Sequence, residues 1–289
     1  MANELKPETL KVALSSIDEF AARELPDSLL IELDEKDEFP EAIVRRMSSG
    51  DELGIQLLFV PFEYGGMGGG AFDVYRICER MAAIDLGVAT SELATFLGSD
   101  PIRVGGTDEQ KRRYLSQIAK EGVLFAYGAT EPEAGSDLGA LKTVAERVGD
   151  NGDVTGYRIS GTKQWISNGG VADLYTVLAL APDGPSWFVV DAGAEGFTHG
   201  EHEDKHGIRL SNTAALFLDR STSTPTGSSA ASRGRASCRP SRCSATRGSW
   251  WPRSGSAPDR RRSTGRSPTR ARGSRPAARC PRRRASRTS

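Results

Sequence analysis

The last seventy of the 289 residues, Arg220 to Ser289, contain no Lys, Glu or His and no Leu, Ile, Val, Met, Phe or Tyr. A mixture of Ser, Arg, Pro, Gly, Ala and Thr offers nothing from which a periodic pattern could bury a core, so this stretch is expected to be disordered. Its only large apolar residues are Trp250 and Trp251, and it carries nineteen Arg against one Asp, a charge of +18. Residues 1–219 therefore carry −18, and the zero net charge of the whole chain conceals two opposed pieces. Cysteine is scarce: Cys78 stands alone before the tail, and Cys238, Cys243 and Cys280 lack metal-site spacing. That excludes a disulfide scaffold and agrees with a reducing compartment. No apolar run approaches membrane-spanning length, and Met1 to Lys6 begins no apolar leader, so a cytoplasmic protein with no membrane partner is expected.

What is present before the tail suffices for two ordinary domains. Pro7 followed by Leu10, Leu14, Ile17 and Ala21 predicts an amphipathic helix begun near the proline. Ile43 and Met47, after Phe39-Pro40, predict a short second helix. The apolar stretch Leu53 to Pro61 runs into a glycine-rich segment, Tyr64 to Gly70. No Gly-Lys-Ser/Thr follows and the dinucleotide spacing is absent, so a tight turn is expected there and not a phosphate loop. Phe72, Tyr75, Cys78, Met81 and Ala82 continue a helical period toward Val88, which predicts one long, largely buried helix. Thr107 to Gln110 has the form of a capping box, with Tyr114, Leu115 and Ile118 as the apolar face behind it and Gly122 as the stop.

From Val123 the period becomes two. Val123 to Ala126 is strand-like, and Thr143 to Val148 alternates into Asp150-Asn151-Gly152-Asp153, a turn leading to a second strand over Val154 to Ile159. Leu174 to Leu180, the turn Pro182 to Pro185, and Trp187 to Val190 follow. The fold class expected is α+β, with three parts: an N-terminal α-helical domain over residues 1–122, a small antiparallel β sandwich or barrel over 123–219, and the disordered basic tail over 220–289.

The loop Tyr127 to Asp137 leaves a strand, turns at Pro132, and offers hydroxyls, small residues and backbone N–H groups, which is the chemistry of a cofactor-binding loop. A second motif, His202-Glu203-Asp204-Lys205-His206, fits a zinc pattern that needs both histidines on one helical turn. Gly200 and Gly207 bracket it within a β-rich segment that has no apolar face. A solvated charged loop is the favoured reading, the zinc hydrolase only a minor alternative, and no metal is expected.

Four motifs in order carry a resemblance. They are Pro61-Phe62-Glu63-Tyr64-Gly65-Gly66-Met67-Gly68, the loop Thr130 to Asp137, Gly161-Thr162-Lys163-Gln164-Trp165-Ile166-Ser167-Asn168, and Lys205-His206-Gly207-Ile208-Arg209. Together they make residues 1–219 similar to the first two domains of the acyl-CoA dehydrogenase family. The resemblance implies an oxidoreductase that uses FAD to form an α,β double bond in an acyl-CoA thioester. It implies that Tyr127, Ala129, Thr130, Gly135 and Ser136 line the cofactor, with Ser136 also at the substrate. Trp165 and Ser167 match the pair beside the isoalloxazine, although as residues alone they also fit a core tryptophan next to a turn serine. An electron-transferring flavoprotein or another acceptor is the implied redox partner.

In the family the catalytic base is a glutamate on a C-terminal helical domain, which also completes the oligomer interface. No glutamate occurs from Arg220 onward. No catalytic residue is therefore assigned, reduced or absent activity is expected, and neither a tetramer nor a dimer of the family type is. Written with GC-rich codons, the sequence after Arg220 reads in another frame as His-Val-Asp-Ala-Asp-Arg-Leu-Val, which suggests a frameshift in the gene or in its sequencing. The alternative is a non-catalytic remnant whose basic tail binds nucleic acid or acidic partners. Such a tail binds polyanions non-specifically in any case.

Overall fold

The computed structural model describes residues 4–149 and 154–223. The expected turn at Asp150 to Asp153 and nearly all of the expected disordered tail lie outside the described residues. Among the described residues six α-helices come first: α1 (Pro7–Glu24), α2 (Asp27–Lys36), α3 (Glu41–Ser48), α4 (Ala71–Ala82), α5 (Leu86–Gly105) and α6 (Asp108–Glu121). Helix α1 begins on Pro7 and buries Ile17, Phe20 and Ala21. Helix α6 is capped as its sequence predicts: Thr107 Oγ1 accepts from Gln110 N at 3.2 Å and Gln110 Oε1 from Thr107 N at 2.9 Å. Gly122 closes it at φ 64°.

The single long helix expected from Phe72 toward Val88 is two helices, and its buried face is a different one. The chain breaks after Ala82, and Asp85 starts α5 by accepting from Val88 N at 2.8 Å. Helix α4 buries Asp73, Ile77 and Met81, while Phe72 and Tyr75 are 55% and 59% exposed. The phase is set by Asp73, whose Oδ2 accepts from Gly70 N at 2.8 Å and Leu5 N at 2.9 Å. Two apolar stripes compete along this helix, and the buried aspartate's need for donors selects the one it shares.

Seven strands follow: β1 (Phe125–Gly128), β2 (Val144–Val148), β3 (Gly156–Ser167), β4 (Leu174–Ala181), β5 (Gly184–Asp191), β6 (Phe197–His199) and β7 (Thr213–Ser223). They form one sheet in the order β1-β4-β2-β3-β7-β6, with β5 on β4. The sheet is mixed: β2–β3, β3–β7, β4–β5 and β6–β7 are antiparallel, whereas β1 and β2 each run parallel to β4. Helices and sheet belong to one compact unit. Among the described residues no helix is long and apolar enough to cross a membrane.

Two polar joints fix helices to sheet. Arg45 donates to Asp173 Oδ2 at 3.0 Å and to Val171 O at 3.0 Å, and the same Oδ2 accepts from Leu124 N at 2.8 Å. Asn168, fully buried at the end of β3, donates from Nδ2 to Ser91 O at 2.9 Å and Phe125 O at 3.2 Å. Helix α5 turns a polar stripe inward for this purpose: Thr95 Oγ1 accepts from Phe125 N at 3.2 Å, and Thr176 Oγ1 donates to Gly98 O at 2.8 Å.

The same helix buries Glu92, which accepts from Ser48 Oγ at 2.9 and 3.0 Å and from Gln56 Nε2. Burial pushes its carboxyl up to about 7, against the opposing pull of Gln56 and Ser48. The folded protein thus holds this proton more tightly than the unfolded chain does, where the ordinary value is 4.5. Its stabilising contribution is full below that value and is lost as pH rises through about 7. A Glu92→Gln protein is expected to gain about 1 kcal/mol or less over wild type at pH 5 and about 3 kcal/mol at pH 8. Thermal melts at the two pH values check this, and an equal shift at both would contradict it.

Candidate functional site

The site is built on β1, the loop after it, and the end of β3. The loop from Ala129 to Thr143 is clamped at both feet by one carboxylate. Glu131 Oε1 accepts from Lys163 Nζ at 2.7 Å and Thr143 N at 2.9 Å, and its Oε2 accepts from Lys142 N at 2.7 Å. Lys163 Nζ also donates to Ala129 O at 3.3 Å. Both side chains are buried, at 0% and 3% exposure. Burial raises the Glu131 carboxyl, but the hydrogen bonds from Lys163, Thr143 and Lys142 outweigh it and hold the group below the usual carboxylate range. Burial pushes Lys163 down to about 8 against the pull of Glu131.

Two residues beyond Lys163 the sheet is interrupted. Lys163 pairs with Leu216 but Ile166 with Ala214, so β3 carries one extra residue there, a bulge. Trp165 occupies it at φ 60° and is 58% exposed. A left-handed backbone at a bulky residue costs about 1–3 kcal/mol and is held only where the surroundings impose it. The bulge re-aims the tryptophan away from the core, which settles against the core reading of this side chain. Gln164 N donates to Thr130 O at 3.0 Å, so the loop and the Trp165 strand lie side by side.

Each residue singled out from the sequence can now be located. Ala129 is buried, and Thr130 is half-buried at the foot of the loop. Gly135 and Ser136 are exposed at its tip, and neither N–H makes a hydrogen bond among the described residues. A Cβ added at Gly135 would meet nothing within 4 Å. Ser167 is half-buried and pairs with Thr213. Tyr127 lies half-buried with its ring 4.5 Å from that of Trp187, partly inside the sheet's packing. An open loop tip with free donors, and an outward-facing indole on the strand bonded to the loop's foot, fit a flat aromatic cofactor that carries a pyrophosphate.

Glu131 and Lys163 are absent from the sequence-based candidates. A signal existed, because Lys163 stands in period two with Ile159 on the buried face of β3, where a lysine needs a carboxylate partner. At the zinc-like motif the required helix is absent, and residues 200–205 are irregular. His202 Nδ1 accepts from Thr213 N at 3.2 Å, and its Nε2 lies 3.2 Å from Lys205 Nζ and 3.4 Å from Asp37 Oδ1. Both ring nitrogens thus already face protein groups.

Residues 7–122 match the family model for the acyl-CoA dehydrogenase N-terminal domain, and residues 126–221 that for the middle domain. The short-chain-specific acyl-CoA dehydrogenase of Clostridium acetobutylicum is 38% identical over 210 residues, covering 70% of this chain and 52% of that protein. The cyclohex-1-ene-1-carbonyl-CoA dehydrogenase of Geobacter metallireducens is 39% identical over 218 residues, covering 73% and 55%. The crystal structure of a Bacillus anthracis acyl-CoA dehydrogenase complexed with FAD superposes with a TM-score of 0.66 at 33% identity, covering 76% of this chain and 38% of that one. The chain spans about half the length of the curated relatives it matches.

Proposed function

Because this chain belongs to the acyl-CoA dehydrogenase family, we propose that its sheet and the loop from Tyr127 to Asp137 form the FAD-binding wall of an enzyme that desaturates the α,β bond of an acyl-CoA thioester. The observation that carries this reading is the outward-turned Trp165 on a strand bonded to the foot of a loop whose tip has unused N–H donors. Bound FAD would supply the acceptor for the substrate's β-hydride. The chain's own residues bind and orient: the Gly135 and Ser136 amides take anionic oxygens, the Thr130 and Ser167 hydroxyls address polar ring edges, and Trp165 offers a flat face. A flavoprotein or another acceptor would then take the electrons. FAD titration followed by flavin fluorescence tests the cofactor. Wild type is expected to bind saturably and Trp165→Ala at least about tenfold more weakly, a loss of about 1.4 kcal/mol. Equal affinities would sink the assignment of Trp165.

The proposal extends to what this chain does less well. Residues 220–289 hold one carboxylate, Asp259, and no glutamate, so the family's glutamate base has no counterpart there. The change of composition begins inside a strand: β7 keeps its pairing with β3 through Ser223, whereas the family match ends at residue 221. Ser221 and Ser223 occupy buried positions, and Ser223 Oγ has no hydrogen-bond partner among the described residues. Domain boundaries fall in exposed linkers. A switch within a buried strand is what a change of reading frame leaves behind, and it supports the frameshift over an evolved basic tail. The coding DNA from codon 219 onward is expected to encode a dehydrogenase-like helical sequence in another frame. If no frame does, the frameshift is excluded.

A further inference from the structure

We propose that the buried pair Glu131–Lys163 is a positioning device that sets the distance between the two walls of the flavin site, the loop tip at Gly135-Ser136 and the Trp165 bulge. The proposal rests on the FAD reading above. Lys163 belongs to the strand that carries Trp165 two residues later, and Glu131 belongs to the loop. Their contact at 2.7 Å is fully buried and couples the walls directly. One carboxylate also gathers both feet of the loop, through Lys142 N and Thr143 N. Between the feet the backbone hydrogen bonds are local: Glu131 N to Ala134 O at 2.9 Å, Ala140 N to Asp137 O and Leu141 N to Leu138 O, both at 3.4 Å. The tip's placement therefore depends on its feet.

An apolar pair of similar volume would fill this space and spare the desolvation of two charges, and such replacements are often neutral or stabilising. It would not reproduce three hydrogen bonds meeting at two carboxylate oxygens. A glutamine at position 131 retains one carbonyl acceptor where the glutamate has two, so at least one of the Lys142 and Thr143 amides loses its partner. Stability and loop placement can thus be separated, which distinguishes a positioning role from a merely structural one.

The test compares wild type, Glu131→Gln/Lys163→Met and Glu131→Asp by thermal melting, amide hydrogen exchange without ligand, and FAD titration. The double variant is expected to melt within a few degrees of wild type. Its Lys142 or Thr143 amide should exchange at least tenfold faster, and its FAD dissociation constant should rise at least tenfold. Glu131→Asp keeps the charge but withdraws the carboxylate by one methylene, and intermediate losses in exchange protection and affinity are expected. It decides the matter if the double variant fails to fold. Wild-type protection and wild-type FAD affinity in a folded variant would overturn the proposal. If wild type itself binds no FAD, the cofactor reading fails, while the exchange rates still report whether the pair positions the loop.

Discussion

Replacing Gly66 with alanine is expected to leave no stably folded protein. A Cβ at this position would sit 2.0 Å from Val60 O and 2.5 Å from Val60 C, and neither is the movable end of a side chain. The carbonyl cannot swing aside, because it accepts from Gly68 N at 2.9 Å in a segment folded back on its own preceding turn. In the same segment Met67 N donates to Leu57 O at 2.6 Å, Gly69 N to Leu58 O at 2.8 Å and Gly66 N to Pro61 O at 3.2 Å. Those bonds also explain why this glycine-rich stretch is no phosphate loop: its donors are already used inside the chain. Relieving the clash means breaking the turn, at a cost above about 4 kcal/mol against a total stability of about 5–15 kcal/mol. Gly135→Ala is the control, since its methyl would meet nothing within 4 Å, and a change within about 0.5 kcal/mol is expected. Urea unfolding of the two variants checks both, and a wild-type midpoint for Gly66→Ala would refute the account.

Elements were legible where independent local signals agreed. Helix α6 has a capping box, an apolar face and a glycine stop, and each is used as its chemistry suggests. Helix α5 hides because its sequence carries Gly87, Gly98 and Pro101 and turns Ser91, Thr95 and Ser99 inward, signals that oppose those of its Asp85 cap and its apolar residues. It forms because the sheet supplies partners for those polar groups, a tertiary effect that overrides propensity. The hairpin strands β2–β3 and β4–β5 were legible from alternation in β2, an apolar run in β4 and turn residues, although the strand expected to end at Ile159 runs on to Ser167. The parallel pairing of β1 with β4 was not, because Phe125 and Leu174 are distant in sequence and no turn between them records the register. At the site, the loop and the Trp165 strand both stood out as motifs. Their adjacency, through Gln164 N and Thr130 O, and the Glu131–Lys163 pair beneath them exist only in three dimensions.

Asn168→Asp should nearly abolish folding at neutral pH, although it exchanges one amide for a carboxyl of the same shape. Asn168 is 0% exposed and stands at φ 60°, a left-handed conformation that Asn and Asp both tolerate, so the backbone is not perturbed. What changes is the donor. The Nδ2 group serves Ser91 O and Phe125 O, with Thr95 Oγ1 at 3.4 Å, and a carboxylate would place negative charge against those acceptors with no cation to pair it. Removing a buried donor and adding an unpaired charge costs on the order of 3–5 kcal/mol or more. Protonation restores one O–H donor, so the penalty should shrink as pH falls; it grows with pH as the Glu92→Gln effect does, but with the opposite sign, since that substitution stabilises. Urea midpoints at pH 5 and pH 7 distinguish the two, and a variant within about 1 kcal/mol of wild type at pH 7 would refute this. Because Asn168 is the residue next after Ser167, the joint that ties α5 to the sheet is also the far anchor of the strand that presents Trp165. Loss of flavin affinity is therefore expected to accompany loss of stability in this variant, whereas in Glu131→Gln/Lys163→Met the two should separate.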